Sequence, residues 1–108
     1  MSIQKGSMFK GIPTDLPTEW VERLAWKKGV RIERIISRGH ASPEGFWYDQ
    51  AETEWVLLVQ GAAKIRFEED DRVIEMRAGD HLMVPSRARH RVDWTTPDEE
   101  TIWLAVFY

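Results

Sequence analysis

The sequence predicts an all-β fold, a β-sandwich or jelly-roll barrel preceded by a short N-terminal helix. Two observations carry the prediction. From residue 30 onward every apolar run is short, rich in β-branched and aromatic residues, and bounded by Gly, Pro or an acidic cluster. Within "AAKIRFE", Ala63, Ile65 and Phe67 fall on one face and Lys64, Arg66 and Glu68 on the other, the period of a strand with one dry side. Many short strands at such spacing suit a sandwich or a barrel.

The elements follow in order. Residues 1–17 carry Gly, Pro and Ser without period and read as an arm. "PTEWVERLAWKKG" is the helical candidate: Thr18 can cap its start, Trp20, Leu24 and Trp26 are expected to share one face, and Gly29 after Lys27 and Lys28 is a stop signal. Residues 1–29 are thus an arm with a short helix, and 30–108 a barrel, within one structural domain. The expected strands are "VRIERIIS", "FWYD", "EWVLLVQ", "AAKIRFE", "RVIEM", "HLMVP", "HRVDW" and "TIWLAVFY". "EEDD" at 68–71 lacks the spacing and central Gly of a calcium loop and reads as a solvated turn. "TIWLAVFY" is nearly apolar on both faces, so it is either central or covered by a partner. A homodimer through this strand or the arm is one expectation, and a monomer with a covered sheet the other.

Composition narrows the function. A chain of 108 residues with 43% hydrophobic and 31% charged residues supports one hydrophobic core. Without cysteine there is no disulfide, thiolate ligand or thiol nucleophile, so a metal must be held by His, carboxylate or amide groups. A net charge of −3 gives nucleic acid no general electrostatic reason to bind. No stretch has the roughly eighteen consecutive apolar residues of a membrane helix, and "MSIQKGSMFKGIPTDLPTEW" lacks a signal peptide's apolar core, which makes cytoplasmic the expected location. The expected partner is a small molecule.

Two residues stand out chemically. In "EWVLLVQ" the period of two places Glu54 in a row with Val56 and Leu58, so its carboxylate points toward the interior or its mouth, where an ionised group needs a cation or hydrogen-bond donors. In "RARHRV" His90 shares a row with Ala88 and Val92, opposite Arg87, Arg89 and Arg91. An inward Glu and an inward His on different strands suit metal binding or proton transfer.

These residues resemble a known family, the small single-domain cupins of the RmlC-like superfamily. The second cupin motif is Gly, five residues, Pro, one residue, Gly, two residues, His. Here Gly79, "DHLMV", Pro85, Ser86, Arg87, "AR" and His90 match it, with Arg87 in place of Gly. The first motif ends in Glu, six residues, Gly, as do Glu54, "WVLLVQ" and Gly61. The resemblance spans residues 39–94 and implies a double-stranded β-helix. In the family a His-x-His and the Glu of the first motif converge with the His of the second on one divalent metal.

Where the family has its His-x-His, this chain has "WYDQ". With three residues intervening before Glu54, Tyr48 and Gln50 fall in the two positions; with four, Trp47 and Asp49 do. Gly39 lies further away than the family spacing, which leaves His40 in an inserted loop, and neither His40 nor His81 has an evident role. Three readings follow. A divalent metal (Zn, Fe, Mn or Ni) is held by His90, Glu54 and either Asp49 or Gln50. Alternatively, the chain is a metal-independent isomerase or epimerase in style, with His90 as base, Tyr48 as acid and Glu54 orienting the imidazole. In the third, a binding or sensing module uses "GFWY", Trp55 and Trp94 to line a pocket, and Arg87, Arg89 and Arg91 recognise an anion or form a charged edge.

Overall fold

The computed structural model describes residues 1–108, which form eight antiparallel strands in two packed sheets. The strands are β1 (Trp20–Lys27), β2 (Val30–Ser37), β3 (Glu54–Gln60), β4 (Ala62–Phe67), β5 (Arg72–Arg77), β6 (His81–Val84), β7 (His90–Thr95) and β8 (Thr101–Phe107). One sheet has the order β1-β2-β8-β3-β6 and the other β5-β4-β7. This is the expected all-β jelly roll. Glu69–Asp71, in the turn from β4 to β5, is a single exposed 3-10 turn with Asp70 and Asp71 at positive φ.

Two local expectations are corrected. Residues Trp20–Lys27 are a strand, not a helix, and pair with β2 from Trp20↔Ile36 to Lys27↔Val30. Trp20 and Leu24 suit one helix face, but Leu24 and Trp26 lie about 200° apart around a helix axis, so no single face collects all three. In the sheet, a two-residue turn at Lys28 and Gly29, the latter at φ +84°, returns the chain directly along β1. "FWYD" contributes only one isolated bridge, Tyr48 opposite His90.

The main core lies between the sheets, where Val56, Leu58, Ala63, Ile65, Met76, Trp103, Ala105 and Phe107 are buried. β8 is central, between β2 and β3. Its apolar character on both faces has a second cause on the sheet's outer side, where Ile102 packs with Ile36 and with Leu16, Met8 and Ile12 of the arm. Arg34, nearly fully buried on β2, holds that arm: its guanidinium donates to the carbonyls of Ser7, Met8 and Lys10 and to Glu22 on β1. An always-charged group with planar, multiple donors suits such a junction.

Candidate functional site

Between β2 and β3 the chain runs alongside β7 as an irregular extra edge. Ser42 N–H donates to Val92 O, and Tyr48 and His90 exchange both backbone hydrogen bonds, at 2.7 and 3.1 Å. The Arg91 guanidinium donates to the carbonyls of Ser42, Pro43 and Phe46. Further on, Ser86 Oγ donates to Ala51 O, and Arg87 N–H donates to Gln50 O. These contacts set the register of residues 48–50. Tyr48 and Gln50 face the interior, and Asp49 faces outward between Arg87 and Arg89, at 3.6 and 3.9 Å.

The interior side chains enclose a cavity of about 300 Å³ between the sheets, with Glu54, His90, Tyr48 and Gln50 at its polar end. Its apolar walls include Val56, Ile65, Trp103 and Phe107. The side chains of His90 and Glu54 are 7% and 12% exposed, and His90 Nε2 lies 3.6 Å from Glu54 Oε1. His90 Nδ1 lies 2.8 Å from Ala88 O, a pure acceptor, so Nδ1 carries a hydrogen and Nε2 is the ring nitrogen that faces the cavity beside Glu54. Gln50 Nε2 donates to Glu54 Oε1 at 3.1 Å, which holds the carboxylate in place. Tyr48 and Phe67 stack on either side of the imidazole, with centroids 5.3 and 5.8 Å from it.

Glu19, just before β1, joins this site, and sequence reasoning missed it. It lines the cavity beside Tyr48 and accepts a hydrogen bond from Ser37 Oγ at 3.1 Å. It lies in the stretch read as a helix, where its strand-spaced neighbour Val21 carries no signal, so in sequence it is one more surface carboxylate; only the fold brings it to the cavity. Burial raises its pKa above the ordinary 4.5, against the lowering effect of the Ser37 hydrogen bond. Burial, and then the Glu19 and Glu54 carboxylates, push the Tyr48 phenol up to about 12. It therefore stays protonated at neutral pH and acts as a hydrogen-bond donor.

The Glu19 shift has a measurable sign. Above the unfolded-state pKa the folded chain still holds the Glu19 proton that the unfolded chain has lost, so this group's contribution to stability falls as pH rises through the raised native value. Glu19→Gln keeps the acceptor for Ser37 and removes the titration. The expected result is a Tm above wild type at pH 7.5 and equal to it at pH 4, measured by thermal denaturation. Equal offsets at both pH values would contradict it.

Residues 35–107 match the family model described as the Cupin domain, most of the chain. The chain is a cupin. Over 97% of both chains this cupin is 48% identical, with a TM-score of 0.93, to a crystal structure of a "putative mannose-6-phosphate isomerase" from Ralstonia eutropha JMP134. It shares the fold of a cupin superfamily protein from Desulfitobacterium hafniense DCB-2, with 22% identity, TM-score 0.72 and coverage of 89% and 82% of the two chains. The same holds for an RmlC-like cupin from Shewanella frigidimarina NCIMB 400, with 18% identity, TM-score 0.68 and coverage of 82% and 74%. No curated protein matches the sequence.

The family's four-ligand metal site does not fit the side chains of this cupin. No three His, Asp or Glu side chains converge anywhere in the chain. His90 and Glu54 are joined only by the Gln50 amide, while Asp49 points away into its arginine contacts. The other proposed roles are also redistributed. Trp55 stacks on His81 on the outer side, Trp94 lies beside Lys64, and Phe46 is exposed, so Trp103 is the one tryptophan that lines the cavity. Arg91 is committed to loop carbonyls and Asp93, and Arg89 to Glu68, so the three arginines do not form an anion site. His40 is structural: Arg38 N–H donates to its Nδ1, and its Nε2 donates to Leu16 O.

Arg87 explains the altered second motif. It has φ +64°, the left-handed conformation that the motif's Gly adopts without strain. A non-Gly residue pays roughly 1–2 kcal/mol there, and the greater freedom of Gly in the unfolded chain offsets roughly half of the gain from replacing it. The exposed Asp49 contact contributes little. Arg87→Gly is therefore expected to stabilise the fold by about 0.5–1 kcal/mol in urea denaturation. Arg87→Ala, which keeps the strain, is expected to give no gain.

Proposed function

We propose that this cupin binds a compact polar molecule directly, without a metal, and that His90 and Glu54 form the proton-accepting end of its cavity. The observation that carries the reading is the placement of His90 Nε2, which faces the cavity 3.6 Å from Glu54 Oε1 while Nδ1 is held by Ala88 O. Tyr48 supplies a protonated hydroxyl at the same end. An acceptor and a donor facing one small volume suit proton transfer between neighbouring atoms of a bound molecule, the elementary step of an isomerase. The isomerase in the description of the 48% identical Ralstonia protein is of that reaction class. A cavity near 300 Å³ is at the small end for ligand sites.

The test has two stages. Small polar metabolites are scanned for thermal stabilisation of wild type and of His90→Gln, and the hits are incubated with protein in D2O. Stabilisation that depends on His90, together with His90-dependent deuterium uptake at carbon, is the expected result. Binding without exchange would reduce the protein to a binding module. Stoichiometric Zn, Mn, Fe or Ni in protein purified without chelator or nickel resin would overturn the metal-independent reading.

A further inference from the structure

We infer that a second copy of this chain packs against the uncovered inner face of β1, with the two β1 strands antiparallel, and closes the open side of the cavity. The two sheets are unequal: five strands face three, and β1 is the outermost strand of the larger sheet. Val21, Arg23 and Trp26 lie opposite Ile35, Glu33 and Arg31 of β2, so they share the face that bounds the cavity. Beyond Val21 that face is left to solvent. Val21 and Trp26 are 51% and 65% exposed, and every residue from Arg23 to Lys27 is exposed. Apolar side chains clustered on the outer strand of a sheet mark an interaction surface. The two surfaces expected from the sequence are not free, because β8 is central and Arg34 holds the arm over Ile36 and Ile102.

Charge complementarity selects a second copy as the occupant. Asp15 and Glu22 carry negative charge before and within the first half of the strand, and Arg23, Lys27 and Lys28 carry positive charge toward its end. Antiparallel strands related by a two-fold axis set the acidic start of each against the basic end of the other, whereas parallel strands would bring like charges together. With the axis near Arg23 and Leu24, Trp26 of one copy meets Val21 of the other. Trp26 is already stacked by the Arg23 guanidinium at 5.2 Å, a tryptophan and an arginine of the kind that anchor interfaces. The register shift between Arg23 and Ala25 interrupts the row of free backbone groups on this edge, so the copies meet through side chains rather than by adding a strand. Val21 also lines the cavity, which places the second copy's Trp26 over its open side. That closure rests on the reading of the cavity as the ligand site; the pairing of the copies does not.

The experiment is sedimentation velocity on the full chain at low salt, without added ligand, from about 2 to about 200 μM, with backbone hydrogen exchange measured at both ends of that range. The expected result is a dimer at the upper end, with slower exchange over residues 21–27 than at the lower end. Trp26→Ser is expected to weaken dimerisation at least tenfold, and Lys27→Glu, on an exposed side chain, to weaken it in the same sense. If Trp26→Ser fails to fold by circular dichroism, Val21→Ser takes its place with the same expected loss. A monomer throughout, open-ended assembly, or a dimer unchanged in Trp26→Ser would overturn the inference. A dimer without slower exchange over residues 21–27 would place the contact elsewhere and overturn it equally. Dimerisation unchanged in Lys27→Glu would overturn the antiparallel arrangement. The metabolite scan is read separately: a dimer that binds no metabolite would leave the pairing standing and remove the site that it closes.

Discussion

Gly61→Ala is expected to destabilise the fold by about 3 kcal/mol, the sum of backbone strain and overpacking against a backbone atom. Gly61 joins β3 to β4, where the chain leaves one sheet for the other, and has φ +95°. An added Cβ would meet Thr101 Oγ1 at 2.4 Å, its Cα at 2.7 Å and its Cβ at 2.9 Å. Thr101 is fully buried at the start of the central β8, so relief requires the two sheets to separate at this corner. Urea denaturation measures the loss. Gly39→Ala is the control: it has a similar positive φ of +72°, but its nearest neighbour is Pro97 Cα at 3.6 Å, an ordinary contact. Its expected cost is about 1 kcal/mol, from strain alone. Equal losses in the two variants would show that the approach to Thr101 is not what requires glycine at 61. The closing Gly of the first motif is thus explained by packing and needs no role in chemistry.

Arg34→Met is the second large effect, with an expected loss of about 3 kcal/mol. The variant keeps the apolar stem but removes the donors to Glu22 and to three arm carbonyls. Part of the Glu22 carboxylate reaches water, which keeps the loss at the lower end for a broken buried ion pair. The loss should be local as well as global. Limited proteolysis is expected to cut within residues 1–16 of the variant well before it cuts wild type, because Leu16, Ile12 and Met8 lose the anchor that holds them over Ile36 and Ile102. Arg34→Lys should recover only a fraction, since one ammonium cannot reach all four acceptors in their planar arrangement. An arm equally protected in Arg34→Met would mean that the apolar contacts alone hold it.

Much of the barrel is legible in residue order because strand periodicity is a local property. The expected runs from "VRIERIIS" to "TIWLAVFY" recur as β2 to β8, apart from "FWYD". The inward directions of Glu54 and His90 follow from the same alternation, since neighbours two apart share a face. The strand at Trp20–Lys27 escaped this reasoning because Thr18, Leu24 and Gly29 imitate helix signals. Its conformation is settled by the hydrogen bonds that β2 offers along its whole length. Local propensity yields to a partner edge of that kind.

The candidate site divides in the same way. The sequence by itself determined the cupin frame, the inward Glu54 and His90, and the loss of the family's histidine pair at "WYDQ". It left Tyr48 with Gln50 and Trp47 with Asp49 as equal candidates, because a count along an irregular loop has no period to fix which side chain turns inward. Tertiary structure decided for Tyr48 and Gln50 through hydrogen bonds made by His90, Arg87 and Arg91, residues roughly forty positions away in sequence. It also brought Glu19 from ahead of β1 to the cavity wall and committed Arg31 to Glu33 and Glu52. The charge of a cavity depends on which ionisable groups converge in three dimensions and which of them are already paired, and no stretch of sequence contains that sum.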